Sequence, residues 1–214
     1  VAFISIAAKG DKNMESDRIE NPRVVRTRGA IQKSFRELIL EGRTDEINVK
    51  RIAELAGIHR KTFYLHYTCI EDLYSETINR IMQEYAKEVE KLPMPYDYYD
   101  LTRVMFDFYT ADPFTEKIIT DSRYQAIASE ILYSNLRHNR SAYNPFAMYT
   151  EEEQELINIF LAGASTDVYR QWVAGGKKVP MDKVIQIIGN LLENGVSSMR
   201  EKNEVYFGEI GQDF

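Results

Sequence analysis

The sequence predicts an all-α fold, and three observations predict it. Apolar residues recur three and four positions apart along most of the chain, the period of a helix with one buried face. No segment alternates apolar and polar residues for long enough to read as a strand. Glycines and prolines stand where the apolar stripes stop, as helix ends require. The chain has 214 residues, 44% hydrophobic and 28% charged. That is ordinary globular composition for one large domain or two small ones.

Taken in order, residues 1–22 show no sustained period and end at Asn21-Pro22; they read as an N-terminal arm. A first helix starts at Thr27, its cap, carries the stripe Ile31, Phe35, Leu38, Ile39, and stops at Gly42. Asn48 caps a second helix, Val49 to Ala56, with Val49, Ile52, Ala53 and Ala56 inward, and Gly57 ends it. Ile58 re-enters the core before a third helix, His59 to Tyr67, and a fourth runs from Ile70 to the breaker Pro93-Met94-Pro95. Beyond it the pattern predicts helices over Tyr96 to Thr110, after Pro113, over Ser122 to His138, from a Thr150/Glu153 capping box to Ala174, and over Met181 to Arg200. The boundaries that follow are 1–22 (arm), 23–70 (a head of short helices), 71–200 (a body of longer helices) and 201–214 (tail).

Composition excludes several classes. The apolar opening Val1-Ala2-Phe3-Ile4 has no basic residue before it, unlike a signal peptide, and no apolar run approaches the ~20 residues of a membrane span. Cys69 is the single cysteine, so no internal disulfide framework is expected. These features point to a cytoplasmic protein. His59, His66 and Cys69 lack metal-site spacing, and no metal or cofactor is expected. No nucleophile elbow, phosphate loop or Gly-rich dinucleotide turn occurs, so the chain reads as a non-enzyme.

Charge is distributed unevenly. The net charge is −6, yet residues 18–68 hold eleven Lys and Arg against six Asp and Glu, a local +5 that leaves −11 for the remainder. A basic block on an acidic chain suits contact with a polyanion. Within it, Val49 to Tyr67 forms two short helices joined by a Gly-containing turn, the spacing of a helix-turn-helix. Ile58 and Phe63 are expected to lock the second of these helices inward. Arg60, Lys61, Thr62, Tyr64 and His66 are left facing out, with cations, hydroxyls and an imidazole for phosphates and base edges. Packing of Tyr64 and His66 on the fourth helix is the competing reading; contact is favoured.

This pattern resembles the tetracycline-repressor (TetR) family of bacterial regulators. The family's Ile-Ala…Ala-Gly-Val turn and Thr-Leu-Tyr-x-His-Phe run are matched by Ile52-Ala53, Ala56-Gly57-Ile58 and Thr62-Phe63-Tyr64-Leu65-His66-Tyr67. Its Glu-Glu-Leu is matched by Glu71-Asp72-Leu73, and the likeness covers residues 27–78. The resemblance implies a transcriptional regulator, a repressor in the first instance, that binds a near-palindromic DNA operator as a homodimer. The expected DNA-contacting residues are Thr27, Arg28, Lys50, Arg60, Lys61, Thr62, Tyr64 and His66. Two departures stand out. Tyr67 replaces a Phe, and Thr68-Cys69-Ile70 replaces Lys-(Ser/Asn)-Lys, whose second lysine meets a phosphate in the family.

The rest of the chain is aromatic. Tyr98, Tyr99, Phe106, Tyr109, Tyr124, Tyr133, Tyr169 and Trp172 are the expected lining of a cavity for a small apolar effector, with ordinary core packing as the competing reading for each. A protein effector acting on the same body is the alternative form of control. Stripes at Ile157, Leu161, Ala164, Val168, Trp172 and at Val184, Ile188, Leu191, Leu192, Gly195, with Phe160 and Ile187 outside them, predict two helices buried on more than one side. In the family the last two helices pair with a second subunit, which suits a homodimer. Trp172-Val173-Ala174-Gly175-Gly176 followed by Pro180 resembles the C-terminal region of a Firmicutes-type subgroup.

Overall fold

The computed structural model describes residues 21–93, 97–121, 125, 127 and 146–210, with side chains described to residue 197. The described residues are helical and contain no strand, in agreement with the all-α expectation. Among the described residues eight α-helices have both ends in view: α1 Pro22–Leu40, α2 Val49–Leu55, α3 Arg60–Phe63, α4 Ile70–Val89, α5 Tyr98–Ala111, α6 Pro113–Thr120, α7 Glu151–Ala174 and α8 Met181–Ile210. A 3₁₀ turn, Thr44–Glu46, joins α1 to α2. Of the expected helix over 122–138 only residues 125 and 127 are described, both helical; residues 1–20 and 211–214 lie outside the described residues.

Three boundaries differ from expectation by more than a turn's fraying: the first helix's start, the third helix's end and the last helix's end. The first helix begins at Pro22, not Thr27: the Asn21 carboxamide accepts the Arg23 N–H at 3.0 Å and Pro22 takes the first helical position. Asn-Pro is therefore a start signal here, because proline lacks the N–H that a first turn leaves unpaired. Thr27 sits inside α1 with its hydroxyl donating to the Arg23 carbonyl at 2.9 Å. The third helix closes at Phe63, after which Leu65 N–H to Thr62 O and His66 N–H to Phe63 O tighten the chain into three-residue turns. The last helix continues past Arg200 to Ile210.

The other ends follow the sequence signals. Asn48 caps α2 by accepting the Arg51 N–H at 3.0 Å. Thr150 and Glu153 form both bonds of a capping box on α7. Three helices end alike, at Gly42, Gly57 and Gly176, all with positive φ. At Gly57 (φ 66°) the Gly57 N–H reaches Glu54 O and the Ile58 N–H reaches Ala53 O, so the turn also satisfies carbonyls that α2 leaves open.

The stripe Ile31, Phe35, Leu38, Ile39 is buried, and Phe35 meets Tyr74 of α4 edge to face at 4.6 Å. Ile52 and Phe63 bury the inner sides of α2 and α3 on the same core. Each such side chain is worth roughly 1.5–3 kcal/mol of apolar burial. In the body, α5 packs along α8. A Cβ at Gly189 would lie 3.1 Å from the Tyr99 Cα, so this position carries no side chain where the two backbones are closest. Helix α6 stands between head and body. Arg36 of α1 pairs with Asp112 at its N-terminus at 2.9 Å, and Lys117 donates to the Leu40 carbonyl at 2.6 Å. On its other side Glu116 accepts from the Tyr169 hydroxyl at 3.0 Å and from Lys177 at 2.6 Å.

Candidate nucleic-acid interface

The head presents the α2–turn–α3 unit outward. Phe63 is fully buried and Ile58 packs against the core, as expected, which turns the intervening side chains to solvent. Arg60 and Lys61 are exposed, Thr62 and His66 are half-buried, and Tyr64 is 55% exposed, in keeping with a contact residue for Tyr64 more than a packing one. Tyr67 is core. Leu65, absent from the sequence-based set, is 77% exposed. Its position two residues beyond the inward Phe63 was the signal that could have identified it.

The structure sorts the cations of the basic block into two groups. Arg28 pairs with Glu76 at 2.9 Å, Arg36 with Asp112, Arg43 with Glu41 and Glu46, Arg51 with Glu46 and Glu54, and Lys33 loosely with Glu37 at 3.9 Å. Among the described residues, Arg23, Arg26, Lys50, Arg60 and Lys61 have no carboxylate partner. Uncompensated positive charge therefore gathers on the start of α1, on α2 and on α3. Arg23 and Arg26 were not in the expected set, because the start of α1 had been placed after them. Of that set, Arg28 is engaged by Glu76 and Thr27 by its own helix backbone.

The junction of α3 and α4 shows what replaces the family lysines. Ile70 packs against the core and offers no charge. Cys69 occupies the N-cap of α4 without a side-chain capping bond. Asp72, in the first turn of α4, reaches back across the junction: its carboxylate accepts the Thr68 N–H at 2.8 Å and the Thr68 hydroxyl. The Thr68 hydroxyl and N–H hold that carboxyl below its ordinary pKa.

The aromatic residues expected to line a cavity pack mainly on one another. Tyr98, Phe106, Tyr109 and Tyr169 are buried. Phe106 and Tyr169 meet edge to face at 4.9 Å, Tyr109 and Tyr169 at 5.3 Å, and Trp172 lies 5.5 Å from Phe106. The Trp172 indole N–H donates to the Val179 carbonyl at 2.7 Å. Tyr99 stands apart at the surface, with Arg103 5.2 Å from its ring centroid. Tyr124 and Tyr133 lie outside the described residues. Burial pushes the Tyr109 phenol up to about 12. Tyr85 of α4, which the sequence pattern placed only in a helix stripe, joins the cluster through Phe108 and Tyr109. The space left beside Tyr85, Tyr98, Thr102 and Ser165 is about 30 Å³. That one space holds one or two waters.

A second, larger feature lies on α7 and α8. Leu156, Phe160 and Leu191 are each at least two-thirds exposed, Ile187 and Val168 are partly so, and a groove of about 290 Å³ runs between the helices. The expected stripes are divided by this geometry. Leu161, Val184, Ile188 and Leu192 face their own subunit's core, and the outward apolar face belongs to Phe160 and Ile187, read as lying outside the stripes, together with Leu156 and Leu191.

No protein-family model matches the chain, and no curated protein does. Solved structures match its fold. NalD of Pseudomonas aeruginosa, the secondary repressor of the MexAB-OprM multidrug efflux pump, aligns with a TM-score of 0.58 at 17% identity over 81% of this chain and 96% of its own. A TetR-like transcriptional regulator from Rhodococcus sp. RHA1 aligns at 0.51, with 19% identity over 83% and 99%. The transcriptional regulator FadR from Bacillus subtilis, solved with stearoyl-CoA, aligns at 0.50, with 15% identity over 77% and 96%. The all-helical described residues, an outward helix-turn-helix and these alignments together identify the fold as that of TetR-like transcriptional regulators.

Proposed function

We propose that the chain is a DNA-binding transcriptional regulator, a non-enzyme acting as a repressor. The carrying observation is the concentration of unpaired cations on the helix-turn-helix face while the other head cations are neutralised. Arg60, Lys61, Thr62, Tyr64 and His66 read the major groove, and Lys50 with the start of α1 meets phosphates. The exposed face of α7 and α8 seats a second copy, giving a homodimer that reads an inverted repeat. The head spans residues 23–70 and the body 71–200, with α4 leading from one to the other. The Trp172–Gly176 segment followed by Pro180 is the basis for placing the chain in a Firmicutes-type subgroup.

Among the described residues the aromatic rings fill most of the space between them, so a small apolar molecule seated there has to open the cluster. The ligand must therefore bind the opened state more tightly than the packed one. The packing favours, as the second reading, a protein effector that acts on the body. Titration of Trp172 fluorescence with acyl and aromatic compounds separates the two: saturable quenching that also releases DNA supports the small molecule.

The DNA reading is tested by selection from random duplexes at low salt. An enriched inverted repeat, with half-sites about 34–36 Å or a multiple apart, is the expected result. Arg60→Ala with Lys61→Ala should flatten the salt dependence of binding by about 0.9 per lost phosphate contact. A pool with no enriched repeat would remove the reading.

A further inference from the structure

A polar cluster around Glu76 ties together three segments that are far apart in sequence. Glu76 lies in the first half of α4 and faces both α1 and the residue that closes the turns after α3. Its Oε2 receives Arg28 Nη2 at 2.9 Å, and its Oε1 accepts from Gln32 Nε2 at 2.6 Å. The same Gln32 amide lies 3.4 Å from the Tyr67 hydroxyl. The Arg28 Cζ sits 6.0 Å from the Tyr67 ring centroid, so the guanidinium lies between that ring and the Glu76 carboxylate. Tyr67 stands where the family pattern has Phe, so the hydroxyl that completes the cluster is a feature of this chain.

The arrangement matters because of where Arg28 stands. It neighbours Tyr67, three residues beyond Tyr64, at the margin of the face proposed to read DNA. Its side chain remains 44% exposed, so a phosphate can reach it. Gln32 meanwhile holds the carboxylate in place, its amide shared with the Tyr67 hydroxyl. A phosphate approaching Arg28 meets a cation already compensated, and counterion release on binding DNA follows the charge that is neutralised anew.

We propose that Glu76 is a positioning residue that tunes DNA binding through Arg28: its carboxylate competes with a DNA phosphate for the guanidinium and keeps duplex affinity below what the head's cations would otherwise give. This rests on the DNA-binding reading. It turns a residue outside the helix-turn-helix into a determinant of affinity. It also places that determinant on α4, the helix that leads into the body.

The test uses the full chain and the duplex selected by the unmodified protein. Glu76→Gln removes the charge and keeps the shape and an acceptor for Gln32. It should bind about two- to fivefold tighter at low salt, the range of a partly exposed ion pair, with a salt slope steeper by about 0.9. Arg28→Gln should cancel that gain, so that Glu76→Gln/Arg28→Gln binds as Arg28→Gln alone, while Glu76→Asp should restore wild-type affinity. Unchanged or weaker binding by Glu76→Gln, or a gain that survives in the Arg28→Gln background, overturns the inference and leaves the DNA reading standing. Loss of helical content in Glu76→Gln at the assay temperature also overturns it, because Glu76 is then a structural brace only. Failure of the unmodified chain to select any duplex removes the DNA reading and the inference with it.

Discussion

Asp112 serves two elements with one carboxylate. It caps α6, accepting the Phe114 and Thr115 N–H groups at 3.4 and 3.2 Å and the Thr115 hydroxyl at 3.0 Å, while Arg36 approaches from α1 at 2.9 Å. Burial alone would raise its pKa, but the Arg36 guanidinium and the capping donors outweigh burial and the net shift is downward. A carboxyl with a depressed folded pKa stabilises fully above its unfolded value and loses that contribution as pH falls through the folded value. Asp112→Ala should therefore cost about 1 kcal/mol at pH 7, a cap-sized effect kept modest by the solvent exposure of the ion pair. The melting temperature should fall by about 2–4 °C. Melts repeated at decreasing pH should show the gap to wild type closing below about pH 4; a gap that stays constant would assign the loss to something other than the charged carboxylate.

At the scale of elements, glycine carries opposite meanings in two helices. Gly29 lies in α1 with no atom within 4 Å of the place its Cβ would occupy, and it is exposed. Gly189 lies in α8 where a Cβ would press on the Tyr99 Cα at 3.1 Å, with the Tyr99 Cβ at 3.3 Å behind it. Gly29→Ala should stabilise by roughly 0.5–1 kcal/mol through helix propensity. Gly189→Ala should lose more than that gain, at about 1–3 kcal/mol, because backbone and not a flexible side-chain end must give way. Urea denaturation of the two variants, read as midpoints, checks the sign of each. Similar gains in both would mean that α5 and α8 separate freely. The same scale explains the paired helix ends of the head: local bonds at Gly42 and Gly57 set where α1 and α2 stop, and long-range packing sets the angle at which they meet.

At the scale of the whole molecule, the body has one apolar face covered by its own core and another left open. Phe160 and Leu191 are open, while Leu161, adjacent in sequence to Phe160, is 4% exposed. Phe160→Glu with Leu191→Glu should give a folded monomer, seen as unchanged helical content with halved mass in sedimentation. Leu161→Glu should unfold the body instead, since a lone buried carboxylate has no partner there. A wild-type chain that sediments as a monomer at micromolar concentration would argue against the α7–α8 face as a subunit seam. Helix α6 adds a second connection between head and body beside α4. Its N-terminus is held by Arg36 of the head and its Glu116 by Tyr169 and Lys177 of the body.

The sequence by itself determined whatever depends on neighbours within a turn or two. It carried the all-α class, the buried stripe from Ile31 to Ile39, the caps at Asn48 and Thr150, the stops at Gly42 and Gly57, and the helix-turn-helix with Phe63 inward and Tyr64 outward. Those features follow from helical period, capping chemistry and positive φ, all of which are local. Tertiary structure decided what depends on partners brought from afar. Which cations of the basic block stay unpaired turns on Glu76 and Asp112, which lie 48 and 76 residues beyond Arg28 and Arg36. Whether aromatic residues enclose a cavity or fill it turns on how α4, α5 and α7 bring Tyr85, Phe106, Tyr109 and Tyr169 together, and among the described residues these rings pack on one another. Which side of an all-round apolar helix faces solvent turns on the contacts its own subunit has already made. That is why Phe160, and not Leu161, lies on the open face.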